Sequence, residues 1–219
     1  MSVRKALVFA LTTLVLVSGA AFGQGATYSM LNPPQPTDGG GKVEVIEFFW
    51  YGCPHCYRLE PEVNAWLKKA PKDVVFKRIP AAPSESWAQM ASMFYTLEAM
   101  GLLDQFHAKV FDAMHKDNLN LANKKVRDEW LAKQGIDVAK YDATEKSFTV
   151  VTKVQRARQL TQSYKVDSVP RLIVNGKYVT SADQAGSAER IFPVVDELIA
   201  LARKEKTATL PHDSRLARH

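Results

Sequence analysis

The only cysteines among the 219 residues, Cys53 and Cys56, lie in one motif, Cys53-Pro54-His55-Cys56. Two thiols spaced this way across the first turn of a helix can close a small disulfide ring and open it again. The first would sit at the helix N-terminus, where unpaired amide N–H groups and the helix dipole favour a thiolate. The second lies one turn further in and is expected to be more buried. That makes Cys53 the candidate nucleophile and Cys56 the resolving thiol. His55, between them, can donate a hydrogen bond or present positive charge to the Cys53 sulfur; the plainer reading is a solvated turn residue. Stabilising the thiolate stabilises the dithiol, so the disulfide becomes more oxidising. The gain is about 30 mV per pKa unit once the pKa lies below ambient pH.

Other chemistry fits the motif less well. A purely structural disulfide over so short a loop would remove little chain entropy. A zinc site would have two ligands, three if His55 joined, and no second cysteine pair exists to complete it. Covalent haem attachment needs a histidine directly after the second cysteine, and position 57 is Tyr.

The elements around the motif must hold it at a strand-to-helix junction. Residues 42–50 (KVEVIEFFW) form a nearly continuous β-branched and aromatic run, as expected of a central strand buried on both faces. Tyr51-Gly52 ends it, and Pro54 suits the first helical position. Leu59, Val63, Trp66 and Leu67 continue at helical spacing, with Pro61 inside the helix, where it removes one backbone bond and predicts a kink. A second strand is expected over 73–79, which completes a βαβ unit. Helices then follow around Trp87–Met100, Leu103–Met114 and Val126–Leu131. Asp137 is placed to cap a short fourth helix, and 144–164 reads as a fifth. Residues 171–175 and 177–180 flank Asn175-Gly176, the preferred two-residue hairpin turn. Residues 187–204 read as an amphipathic helix that either starts near Phe192 or bends at Pro193.

Two further positions stand out. Glu47 interrupts the buried-looking strand six residues before Cys53. It is either a proton-exchange partner for Cys56 or a strand-end carboxylate that reaches solvent or pairs with Lys77 or Arg78. Pro170 precedes the third strand. There it is either an ordinary strand-opening proline or a cis proline shaped by the site.

Composition bounds the rest. Hydrophobic residues make up 46% and charged residues 24%, as in a globular protein with a substantial core. The formal charge is +6 without a dense basic cluster, so nucleic acid is not an expected partner. Residues 1–23 carry Arg4 and Lys5, then an uncharged run, then Ala21-Phe22-Gly23. This is the pattern of a cleavable signal peptide, with an uncleaved anchor as the alternative. Export places the chain where disulfides persist. Residues 24–41 read as a proline- and glycine-rich arm in which 28–31 could add a short outer strand, and 207–219 as a flexible basic tail.

Glu47-Phe48-Phe49, Cys53-Pro54-His55-Cys56, Val169-Pro170 and the 174–178 hairpin, with a helical block between two α/β halves, closely resemble the DsbA family of periplasmic thiol:disulfide oxidoreductases. The resemblance runs from about Tyr28 to Lys206. It implies a thioredoxin-like α/β fold in two parts, 42–82 and 164–206, around a helical insertion at 83–163. It also implies a depressed thiol pKa and an oxidising Cys53–Cys56 disulfide given to reduced, unfolded exported proteins. No metal or organic cofactor is implied, and a monomer is expected. Pro170 would be cis, and Val169 would offer its backbone to an extended substrate. The spent dithiol would be reoxidised by a membrane quinone-linked partner of the DsbB type. The nearest enzymatic rivals are a reductase, which usually carries proline directly before the second cysteine, and an isomerase with its own dimerisation domain. A peptide-binding holdase with an inert disulfide is the rival from another class.

Overall fold

The computed structural model describes residues 26–209. The expected signal peptide at 1–23 and residues 210–219 lie outside that range. In chain order the elements are β1 (Ser29–Met30), β2 (Val43–Phe49), α1 (Pro54–Leu67), β3 (Val74–Pro80), α2 (Glu85–Ala99), α3 (Leu103–His115), α4 (Lys124–Lys133), α5 (Val138–Glu145), α6 (Phe148–Ser163), β4 (Arg171–Val174), β5 (Tyr178–Thr180), α7 (Ala182–Ala185) and α8 (Ile191–Thr209).

The five strands form one sheet in the order β1-β5-β4-β2-β3. β2 runs parallel to β3, with Val45 opposite Phe76, and antiparallel to β4, with Ile46 opposite Ile173. All seven residues of β2 are buried, which suits a strand that is apolar except for Glu44 and Glu47. Val43 and Val45 pack with Leu59, Val63 and Trp66 of α1 and Val195 and Leu198 of α8. Ile46 and Phe48 pack against the helices inserted between β3 and β4. Trp66 fixes α1 to α8 by stacking on Phe192 at 5.1 Å and donating from Nε1 to Asp196 Oδ1 at 2.9 Å. Truncating a buried aromatic of this kind to alanine costs about 3–5 kcal/mol.

Local chemistry explains most element ends. Asp137 and Ser147 accept backbone N–H groups of Lys140 and Val150 and so start α5 and α6. The fourth helix expected from Asp137 is α5, and the fifth, expected over 144–164, is α6, which begins at Phe148 because Ser147 caps it. Asn175 and Gly176 both adopt positive φ, 53° and 66°, as a two-residue hairpin turn between right-twisted strands requires. α8 begins at Ile191, so Pro193 falls in its first turn, where its missing N–H has no helical partner to lose. The same helix runs on to Thr209, three residues into the stretch read as a tail. β1 pairs antiparallel with β5. Among the described residues no helix is long and apolar enough to cross a membrane.

Candidate active site

β2 ends at Phe49, and the Trp50-Tyr51-Gly52-Cys53 turn is closed by the Cys53 N–H donating to the Trp50 carbonyl at 2.9 Å. Cys53 is the N-cap of α1, in extended conformation, and Pro54 opens the helix. Both cysteines are free thiols, so the structure is that of the dithiol form. Cys53 is 8% exposed and Cys56 is fully buried.

Their acidities separate in the same sense. The Cys53 pKa falls from 9.0 to about 6. The largest cause is the hydrogen bond from the Cys56 thiol. Burial opposes it, and the backbone N–H groups of Cys56 and His55 add to the lowering, with the His55 charge a smaller influence. Cys56 moves far upward because it is buried and faces the Cys53 sulfur. In the dithiol the Cys53 thiol also donates to the Val169 carbonyl at 3.4 Å, and the Val169–Pro170 peptide is cis. The sequence motifs at 53–56 and 169–170, more than a hundred residues apart, thus meet at one sulfur.

His55 is exposed and turned away from that sulfur. Its Nδ1 accepts from Arg58 Nη2 at 2.9 Å, and among the described residues its ring makes no hydrogen bond to Cys53. Of the two routes open to His55, hydrogen bond or charge, the ring makes no hydrogen bond to the sulfur, while its charge and its amide both lower the Cys53 pKa. Among the described residues no group of three or more His, Cys, Asp or Glu side chains is arranged to hold a metal.

Glu47 is 0% exposed, and its charge acts on Cys56. Of the pairings considered for it, Arg78 is realised, with Nε 3.3 Å from Oε2, an ion-pair contact rather than an aligned hydrogen bond. Lys77 turns instead to Glu44 and Asp38. Burial raises the Glu47 pKa to about 8, with Arg78 lowering it and Glu60 raising it. At pH 7 such a carboxyl holds its proton for most of the time.

The sequence reading missed the rest of this buried group. Arg78 also reaches Glu60 of α1, Nη2 to Oε2 at 3.2 Å. His107 of α3 lies 3.3 Å from Glu60 Oε1 through Nε2, and Tyr51 Oη lies 2.8 Å from its Nδ1. Burial works to raise the Glu60 pKa, but the His107 and Arg78 contacts outweigh it and hold the carboxyl below its ordinary range. Burial pushes His107 down and favours the neutral imidazole. In that form Tyr51 O–H donates to Nδ1 and Nε2–H donates to Glu60. Glu60 was detectable in the sequence, since it follows Cys56 by four residues and so shares its buried face. His107 carried no such signal.

A family model described as the DSBA-like thioredoxin domain matches residues 44–191, a span that includes Glu47, both cysteines and Pro170. The chain belongs to the DsbA family. A DsbA thiol:disulfide interchange protein of Bordetella parapertussis is 44% identical over 197 residues, which cover 89% of this chain and 94% of that relative. The corresponding protein of Pseudomonas aeruginosa is 40% identical over 184 residues, 84% of this chain and 86% of its own length. The crystal structure of Pseudomonas aeruginosa DsbA superposes with a TM-score of 0.78 at 39% identity, covering 83% of this chain and 95% of that one. Reduced DsbA1 from Neisseria meningitidis gives 0.73 at 29% identity, covering 87% and 99%. This DsbA-family chain is a protein thiol:disulfide oxidoreductase with a thioredoxin-like fold and an inserted helical domain.

Proposed function

We propose that the chain is a dithiol oxidase of the periplasm, which gives a Cys53–Cys56 disulfide to reduced, unfolded exported proteins. A client thiolate attacks the Cys53 sulfur, the Cys53–Cys56 bond breaks, and Cys56 leaves as a thiolate that takes a proton from Glu47. A second client thiolate then attacks the client sulfur of the mixed disulfide. Cys53 departs as a thiolate, and the two electrons lost by the client now reside on the dithiol. The pair is its own redox group, with no metal or organic cofactor. A membrane quinone-linked reoxidase of the DsbB type restores the disulfide, and the chain works as a monomer.

The observation that carries this reading is the opposition of the two thiols. Cys53 is shifted toward the thiolate at pH 7, and Cys56 is held neutral. A low-pKa sulfur leaves a mixed disulfide readily, so the form that accumulates is the reduced enzyme and oxidised client. The Val169 carbonyl accepts from the Cys53 thiol, and the peptide to Pro170 that follows is cis. Backbone groups there suit an extended client segment, paired as an added strand. The run at 1–23 supports export.

The test is stoichiometric. The oxidised chain, mixed with a reduced unfolded protein, should remove client thiols one pair per active site. Its equilibrium with glutathione should favour the reduced chain. Binding without thiol loss would indicate a holdase, and a couple more reducing than glutathione would indicate a reductase.

A further inference from the structure

Tyr51 and Gly52 are the central residues of the turn that leads into Cys53. Gly52 lies against the Trp50 indole, and a Cβ placed on it would come within 2.4 Å of Trp50 Cη2 and Cζ2. That indole has little room to retreat, because it stacks on Trp87 of α2 with ring centroids 4.3 Å apart and planes 8° from parallel. The packing therefore demands glycine. Glycine in the third position of a turn also accepts positive φ, so the Tyr51–Gly52 peptide can rotate between the two common turn types. Such a rotation reverses a peptide dipole next to the nucleophile. A residue with a Cβ would oppose it.

The oxygen of this same peptide is held. His115, the last residue of α3, donates from Nε2–H to the Tyr51 carbonyl at 2.8 Å. His115 is fixed in turn by stacking on Tyr57, at 4.9 Å and 11°. The Tyr57 hydroxyl donates to Asp112 Oδ1 at 2.8 Å. Two turns earlier in α3, His107 holds the Tyr51 hydroxyl. The inserted helix thus grips one residue of the active-site turn at both its backbone and its side chain.

Taking Cys53 as the exchanging thiol, as proposed above, we infer that His115 is a positioning residue. Its N–H latches the Tyr51–Gly52 peptide in one of two orientations and so sets the field in which Cys53 reacts. On this proposal the latch keeps the peptide oxygen toward α3, and its release lets that oxygen swing toward the Cys53 sulfur. Cys53 becomes a weaker acid and the disulfide a weaker oxidant.

The test compares His115→Leu, which removes the donor, with His115→Gln, whose amide can still donate. In the leucine variant the thiolate absorbance should titrate at higher pH. The glutathione equilibrium should move about three- to tenfold toward the oxidised chain, the span of one ordinary hydrogen bond. The Gly52 amide resonance should broaden or double. The glutamine variant should restore all three. A leucine variant with wild-type titration, equilibrium and a single Gly52 resonance overturns the latch, even if it melts earlier. So does a folded glutamine variant that shifts as far as leucine does. If the wild-type chain itself fails to oxidise clients, the functional reading falls, while the titration and the Gly52 resonance still judge the latch.

Discussion

The pH dependence of folding in the two redox states follows from the Cys53 pKa. An unfolded thiol titrates near 9.0 and the folded Cys53 near 6. A thiol depressed in this way stabilises the fold in full above its unfolded pKa and loses that contribution as pH falls through its folded pKa. Between pH 5 and 8 the linkage amounts to at most about 2.6 kcal/mol in favour of the reduced form, less whatever solvent screening removes at the partly reachable sulfur. The oxidised form has no such thiol, but its cross-link restricts the unfolded chain. For a ring of four residues that restriction is worth about 2 kcal/mol and does not vary with pH. Groups that titrate alike in both states cancel. The gap between the two stability curves should therefore move toward the reduced form as pH rises from 5 to 8. Urea melts of both forms at pH 5, 6.5 and 8 measure this directly, taking midpoints at constant slope. A gap that stays constant across the range, or that widens in favour of the oxidised form as pH rises, would refute a stabilised Cys53 thiolate.

Four further outcomes follow from the site. Cys56→Ala should accumulate mixed disulfides with clients through Cys53, seen as reducible high-mass adducts on a non-reducing gel; a variant that forms none counts against Cys53 as the attacked sulfur. It should also raise the Cys53 pKa more than His55→Leu does, because the Cys56 thiol is the largest lowering influence and His55 a lesser one; thiolate titration of the two variants gives the order. Glu47→Gln should slow reoxidation of the dithiol about a hundredfold at pH 7 and remove an ionisation near 8 from its pH profile. Since the folded Glu47 pKa lies above its unfolded value, the wild-type fold loses stability as pH rises through that interval. The glutamine variant should lose less, and matched melts at pH 5 and 8.5 would expose the opposite trend.

Much of this arrangement was legible along the chain, because it rests on local chemistry. The seven-residue run of β2, the helix start at Pro54 and the Asn175-Gly176 turn are each written in consecutive residues. Ser147 was equally readable as a cap, and only the apolar spacing across it placed the start of α6 a few residues early. Sequence proximity left the partner of the His55 ring undecided. On a helix its neighbour is three residues ahead, at Arg58, so the ring pairs there rather than with the sulfur two residues back. Glu47 was conspicuous as a charge in an apolar strand, but its surroundings were not. Arg78, Glu60 and His107 come from β3, α1 and α3, and no periodicity links one element's polar residue to another's. The grip of His115 on a backbone carbonyl is likewise invisible in sequence, since every residue carries that acceptor.

The order of the strands bears on life among unfolded chains. A protein that meets extended, sticky polypeptides at every turnover risks being recruited into their aggregates through any open sheet margin. Here one margin is β1, two residues long and followed closely by Pro33, Pro34 and Pro36, which lack N–H groups to offer. The other is β3, which ends at Pro80 and carries Lys77 and Arg78 tied to acidic partners. Neither presents a long, uncharged row of pairing groups. A client backbone is thereby denied a lasting template along the sheet, and the proposed contact at Val169 is short enough to be released once the disulfide has passed.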